Sequence, residues 1–393
     1  MKVFSNNNTQ NDLFHHRIKW IVLLGQTFGL LPVNGVTSEK FDLTFSWYST
    51  KVFYSNIIIF GSILSTTTTF YRIIHSGYNL TTFGSFIFNA NAAIEGIIFF
   101  NLAKSWPELI RKWSRVETSL ANWKNNKSLK RKFYLVISTI MSAAAVEHIL
   151  SIVNNWSQIP SDVEDKYSTY FIKSYPHLFN FFEFSIPLAI FAVVMNLCNV
   201  FVWNFLDGFL IIISIALSEK FRQVTAGVIV AHNEKIHFKH HWIKLREDYN
   251  QISVLCKTVN NKISTLIIVS FGTNMFFIVS QLYWSLSLVK TTPVESIYFS
   301  FSFGLLVLRT IAVTLFASNI NDESKKSMNY LLSLSSDIYN TDIERFAFQI
   351  HSQPVALTGN DFFTITRGLL FSMAGSIVTY ELFLIQSNEV LTF

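Results

Sequence analysis

The stretch FYLVISTIMSAAAVEHILSIV, Phe133–Val153, is a near-continuous apolar run in which the ionisable residues, Glu147 and His148, both sit near the far end. At about 1.5 Å per residue it spans about 30 Å as a helix, the thickness of a bilayer's hydrocarbon core. Working outward in both directions, comparable runs recur at Ser46–Ile74, Thr82–Ala103, Leu178–Trp203, Ser264–Val289, Ile297–Ala317 and Phe362–Gln386. The expected fold is therefore all-α, a polytopic membrane protein with seven transmembrane helices. Between the N-terminus and the first run, Ile21–Val36 is apolar but broken by Gly25, Gly29, Pro32 and Gly35. It is expected to pack on the bundle or lie at the interface.

Composition agrees with a lipid environment. Of 393 residues, 50% are hydrophobic, 39 are Phe and only 14% are charged, against about 25% charged in an ordinary soluble domain. The net charge of +6 comes from basic residues lying between the apolar runs, where membrane topology accounts for them and nucleic acid is not an expected partner. The Asn-rich start, Met1 to Asp12, lacks the features of a cleaved signal peptide. Cys198 and Cys256 fall in different kinds of segment and make no disulfide framework.

Lys and Arg orient the chain, because cytoplasmic loops carry their excess. With the N-terminus inside, cytoplasmic segments hold about 24 of them and external segments about four. The segments Lys104–Lys132 and Lys220–Lys262 carry about nine and about eight. The N-terminus is thus expected in the cytoplasm and the C-terminus outside, opposite to a G-protein-coupled receptor. In the expected external loop Asn154–His177, Asn155-Trp156-Ser157 is a candidate glycosylation sequon on Asn155. Apolar patterning continues through Phe209–Leu217, resumes in the amphipathic run His241–Asn261, and returns in the short amphipathic segment Asp342–His351, so helices are expected to extend beyond the bilayer. No internal repeat appears, which removes support for an inverted-repeat transporter.

The last run ends Thr379-Tyr380-Glu381-Leu382-Phe383-Leu384-Ile385-Gln386. It resembles the signature of insect gustatory receptors, Thr-Tyr, five mostly hydrophobic residues, then Gln and Phe, with Ser387 standing where that Phe usually does. Gly25-Gln26-Thr27-Phe28-Gly29-Leu30-Leu31-Pro32-Val33-Asn34-Gly35-Val36 and Trp106-Pro107-Glu108-Leu109, followed by Trp113 and Val116-Glu117, resemble the sugar-responsive branch. Glu381 after Tyr380 suits that branch too. The resemblance implies a homotetramer or heteromer whose seventh helices line one central cation pore, below a small-molecule sugar pocket in each subunit, in the plasma membrane of a chemosensory neuron. The implied organisation is a cytoplasmic N-terminal segment at 1–45, helices 1–4 with the pocket at 46–203, cytoplasmic anchor helices at 204–263, helices 5 and 6 at 264–317, a cytoplasmic segment with a short anchor helix at 318–360, and the pore helix with an extracellular C-terminus at 361–393.

On a helix Thr379, Phe383, Gln386 and Val390 share one stripe. An amide such as Gln386 can meet a partly hydrated cation without holding it tightly, and an apolar ring such as Phe383 can close a pore by dewetting. Taken apart from the resemblance, the same residues are better read as a helix end at the interface and a packing contact. With it, Thr379, Phe383, Gln386 and Ser387 are the expected pore-lining residues. Glu381 lies about 140° around the wheel from Gln386 and is expected, with Tyr380, to serve structure.

Ionisable groups inside a membrane are functional candidates by default. By depth, Asn89, Glu147, His148, Asn180, Glu183, Gln281 and Trp284 converge within about 15 Å of the outer surface. Carboxylates and amides suit sugar hydroxyls and an aromatic plane suits the ring's C–H face, so these are the expected ligand-binding residues. Hydrogen bonding between helices, and solvation near the interface, would place the same residues there. Glu95 and Arg309 fall near mid-membrane and are expected to pair as a structural ion pair.

His237, His240 and His241 lie in a Lys-rich segment without supporting ligands, no phosphate-binding glycine loop occurs, and Glu147-His148 belongs to no recognisable acid–base set. No cofactor, metal or enzymatic activity is expected. The expected function is a sugar-gated, nonselective cation channel; a channel gated by a non-sugar tastant and, further off, a secondary transporter are the alternatives.

Overall fold

A computed structural model describes residues 13–38, 42–120, 128–160, 162–287 and 292–391. The chain begins with α1 (Phe14–Thr27), which buries Phe14, Ile18, Ile21 and Val22. The glycines that follow turn the chain back over the bundle. Gln26 Nε2 donates to the carbonyls of Leu31 (3.0 Å) and Val33 (2.8 Å), closing the loop on the helix it leaves. Gly25 sits so close to Phe205 that a Cβ would come within 2.7 Å of the ring, and Gly35 adopts φ +76 with the Asp42 carbonyl 2.0 Å from where its Cβ would stand. The segment Ile21–Val36 thus packs on the bundle, half as helix and half as turn.

Two long helices follow, α2 (Thr50–Ser76) and α3 (Leu80–Ser119), started by Ser49 and Asn79, whose side chains accept the backbone N–H groups of Lys51 and Thr82. Next come α4 (Leu129–Ser157), the short α5 (Lys166–Ser174), capped by Asp165, and the single turn α6 (Pro176–Phe179). Two very long helices, α7 (Ile186–Asn233) and α8 (Lys239–Ser287), lead to α9 (Pro293–Lys325). The chain closes with α10 (Ser327–Leu332), α11 (Thr341–Ser352), a hairpin of β1 (Thr358–Gly359) and β2 (Phe363–Thr364) with Thr358 opposite Thr364, and α12 (Gly368–Leu391). Among the described residues six helices, α2, α3, α4, α7, α8 and α9 with α10, are long and apolar enough to cross a membrane. The seventh, α12, carries the apolar stretch Gly368–Tyr380 and stands against α8 with most of its described side chains exposed.

The core runs along α7, whose most apolar window is 83% buried, against 11% for α4. A helix apolar on every face belongs at the centre of a bundle, and α9, α4 and α8 surround this one. With 48 and 49 residues, α7 and α8 far exceed the roughly 20 that cross a bilayer. Their surplus gathers at one end of the bundle, where Trp113, Phe221, Trp242, Tyr249 and Phe346 are fully buried together with α11. Charges knit this extended end: Arg222 bridges Glu219 and Glu323 at 2.9 Å each, and Lys326 adds a contact to Glu323 at 2.7 Å.

Three boundaries differ from the sequence reading. The fourth span does not begin at Leu178. Residues Pro176–Phe179 form their own turn, and α7 starts only at Ile186, after an extended Ser185 and with Pro187 in the first turn, where its missing N–H costs nothing. The fifth span and the amphipathic run before it are one continuous helix, α8. The last span starts at Gly368, because Phe363 and Thr364 are spent on the hairpin.

Candidate functional site

At the end of the bundle opposite the extended one, the helices splay around a cavity of about 350 Å³, within the usual range of small-molecule sites, about 300–1,000 Å³. α5 and α6 close over it. Tyr175 and the α6 residues Leu178 and Phe179 pack on Ala189 and Ala192 of α7, which seats the cover. The sequence-expected residues divide sharply. Asn89, Glu147, His148, Gln281 and Trp284 line the cavity, while Asn180 and Glu183 are exposed on the connection before α7 and do not. The displaced start of α7 is the cause: these two residues precede the span that was to carry them inward.

Within the wall, Ser302 Oγ donates to Glu147 Oε1 at 2.5 Å, and Gln281 Nε2 reaches the same hydroxyl at 3.4 Å. Gln281 Oε1 is shielded from solvent without a hydrogen-bond partner among the described residues, so this amide retains an open acceptor. The Asn89 amide is engaged instead: it donates to Thr69 Oγ1 (3.3 Å) and the Ser85 carbonyl (3.0 Å) and accepts from Asn199 Nδ2 (3.0 Å). Its geometry is that of a helix–helix tie at the cavity wall. Asn155, expected in a loop, lies in the last turn of α4, half-buried and lining the cavity.

The floor holds the correction to the expected Glu95–Arg309 pair. Arg309 Nε lies 2.6 Å from Asp207 Oδ2, both side chains at most 3% exposed, and its guanidinium sits 4.5 Å from the Trp203 ring centroid. Asn204 and Asn274 also accept from Arg309. Asp207 is satisfied further by Ser270 (2.5 Å) and Asn274 (3.1 Å). Glu95, fully buried, accepts instead from Asn91 at 2.5 Å, and Asn91 from Thr273 at 2.7 Å. Arg309 takes Asp207 because α7, running past Trp203 without a break, delivers that carboxylate to the floor. The floor and cover residues Arg72, Tyr175, His177, Trp203, Tyr298 and Ser302 were not singled out in the sequence. Hydroxyls and aromatics carry no depth signal of their own, and Arg72 sits near a helix end, where cations are ordinary.

Burial and the neighbouring Arg72 hold the His177 imidazole down at about 4, so it stands neutral in the cover. Thr379, exposed on α12, donates back to the Gly375 carbonyl at 2.8 Å. Tyr380 is exposed beside it. The side chains of Glu381, Phe383, Gln386 and Ser387 lie outside the described residues.

A sequence model of the trehalose receptor family matches residues 1–391. Among relatives in Drosophila melanogaster, the gustatory receptor for sugar taste 64f is 32% identical over 96% of this chain and 81% of its own length. Gustatory receptor 5a for trehalose is 29% identical over 96% of this chain and 85% of its own length. The insect olfactory receptor OR5 of Machilis hrabei, solved with eugenol, superposes with a TM-score of 0.72 at 14% identity, over 95% of this chain and 99% of that one. At that identity the likeness is one of fold. With its apolar spans, its cavity and this full-length kinship in view, the chain belongs to the trehalose receptor family of gustatory receptors, multi-pass membrane proteins and not enzymes.

Proposed function

We propose that the protein is a sugar-gated cation channel, with sugar bound in the cavity beneath α5 and α6 and the pore lined by α12 from several subunits. The observation that carries the reading is the cavity wall, where the Glu147–Ser302–Gln281 chain offers hydroxyl-matching groups beside Trp284 and Trp203. A few such bonds at about 0.5–1.5 kcal/mol each sum to about 4 kcal/mol, a millimolar affinity suited to a taste ligand. In this reading the exposed α12 meets further copies or related subunits around the pore. The Lys and Arg asymmetry supports a cytoplasmic extended end and an outward-facing cavity. Ligand binding would favour a bundle conformation that moves the α12 helices apart to pass cations.

The test is sugar binding itself. Purified receptor should gain thermal stability in millimolar sugar, and Trp284→Ala should weaken that gain about tenfold in concentration while the ligand-free unfolding temperature stays within a few degrees. No gain with any mono- or disaccharide, alongside a gain with an apolar or alkaloid tastant, would reassign the ligand.

A further inference from the structure

Of the two arginines lining the cavity among the described residues, only Arg309 has an ion-pair partner. Arg309 is bound by Asp207, and the only carboxylate lining the cavity among the described residues, Glu147, receives the Ser302 hydroxyl. Arg72, one turn before the end of α2, lines the cover end, and its Nε is shielded from solvent with no hydrogen-bond partner among the described residues. Arg72 is half-buried, and its shielded Nε is a donor left open at the cavity wall, free to take an acceptor. His177 and Tyr175 stand at the same end, with Thr81 and Ser85 on α3. These side chains place neutral polar groups near the Arg72 guanidinium, and among the described residues lining the cavity only Glu147, already engaged by Ser302, is acidic.

We propose that Arg72, with His177, forms an anion subsite at the cover end of the cavity that takes a carboxylate carried by the ligand, so that sugar acids are ligands of this receptor alongside neutral sugars. The proposal rests on the cavity being the sugar site. A guanidinium offers paired N–H donors matched to the two oxygens of a carboxylate, a geometry no hydroxyl reproduces. The sugar ring would then lie toward Trp203, Trp284 and the Glu147–Ser302 wall, with its acidic substituent at the cover.

The matched probe pair is glucose and glucuronate, which differ only in a hydroxymethyl group against a carboxylate. Each is titrated for evoked current and for thermal stabilisation on wild type, Arg72→Gln, Arg72→Lys and His177→Gln. The proposal expects glucuronate to act on wild type and Arg72→Gln to raise its half-effective concentration about tenfold more than that of glucose, the loss expected of a charge-assisted contact. Arg72→Lys should recover part of that difference, and His177→Gln should raise the glucuronate value by a few-fold. Free acetate added with glucose reports the same chemistry untethered: competition with glucuronate but not with glucose supports the subsite. Equal shifts for both sugars in Arg72→Gln, or glucuronate that neither activates wild type nor competes with glucose, would overturn it while glucose activation keeps the sugar-site reading intact. Silence and absence of binding with both sugars on wild type would overturn that reading and the subsite together. Should Arg72→Gln fail to reach the surface, acetate competition on wild type decides the question, displacement of glucuronate alone supporting the subsite and no selective displacement overturning it.

Discussion

Arg309 and Asp207 form a buried ion pair at the floor of the cavity, Nε to Oδ2 at 2.6 Å, joining α9 to α7 beneath the Trp203 ring. Removing one partner of such a pair strands the other charge, a loss of about 3–5 kcal/mol, whereas removing both costs far less. Asp207→Asn and Arg309→Gln are each expected to lower the unfolding temperature and surface expression sharply. The double variant should be more stable than the sum of the two predicts, read as a coupling in a double-mutant cycle. Additive effects would mean that the pair contributes nothing as a pair.

A second buried pair locks the N-terminal helix. Glu117 Oε1 lies 2.9 Å from Lys220 Nζ, and its other oxygen accepts the Phe14 backbone N–H at 2.8 Å, where Phe14 stacks on Trp113 at 4.2 Å. One carboxylate thus caps α1 and neutralises a lysine on α7. Glu117→Gln should destabilise the extended end by about 3–5 kcal/mol, and adding Lys220→Met should recover much of it. Proteolysis near α1 should report the release; unchanged cleavage in Glu117→Gln would show α1 held by other contacts.

The turn after α1 depends on glycine at position 35, where φ is +76 and a Cβ would meet the Asp42 carbonyl oxygen at 2.0 Å. Gly35→Ala should therefore cost about 1–3 kcal/mol from backbone conformation alone, with more from the contact. Surface expression and thermal unfolding measure this, and wild-type behaviour would show that the turn rearranges freely.

His177 and His15 are both held at about 4, each first by burial and then by a neighbouring group, the Arg72 guanidinium for His177 and the His16 imidazole for His15. The unfolded chain takes up these protons at about 6.5 and the folded chain only near 4, so stability declines as pH falls through that window and levels off below it. Unfolding temperature measured from pH 7 to pH 4 should fall, with a shallower slope in His177→Gln. An identical slope in that variant would mean that His177 ionises without resistance.

The spans were legible because lipid demands long apolar runs, and six of the seven expected runs lie mainly within one helix. The exception, Leu178–Trp203, shows the limit of hydropathy. Phe181, Phe182 and Phe184 continue the apolar run, yet Pro176 and Pro187 divide it into a turn and a helix start, so Asn180 and Glu183 lost their places at the cavity. Ending that span at Trp203 also hid Asp207, four residues on, as the partner of Arg309. Depth counting found Glu147, His148, Gln281 and Trp284 because their helices are regular through that level. It could not find Ser302 or Tyr298, because a hydroxyl on a span serves a neighbouring helix as readily as a ligand, and only the three-dimensional arrangement shows which it faces.

The central claim is tested most directly by whole-cell current in cells expressing this chain alone, with a panel of mono- and disaccharides applied to wild type and to Gln386→Ala. The account predicts a sugar-evoked cation current whose relative permeabilities or conductance change in Gln386→Ala while the half-activating sugar concentration moves much less. A sugar current with identical permeation in both would contradict the assignment of α12 as the pore, and saturable sugar uptake without current would contradict the channel.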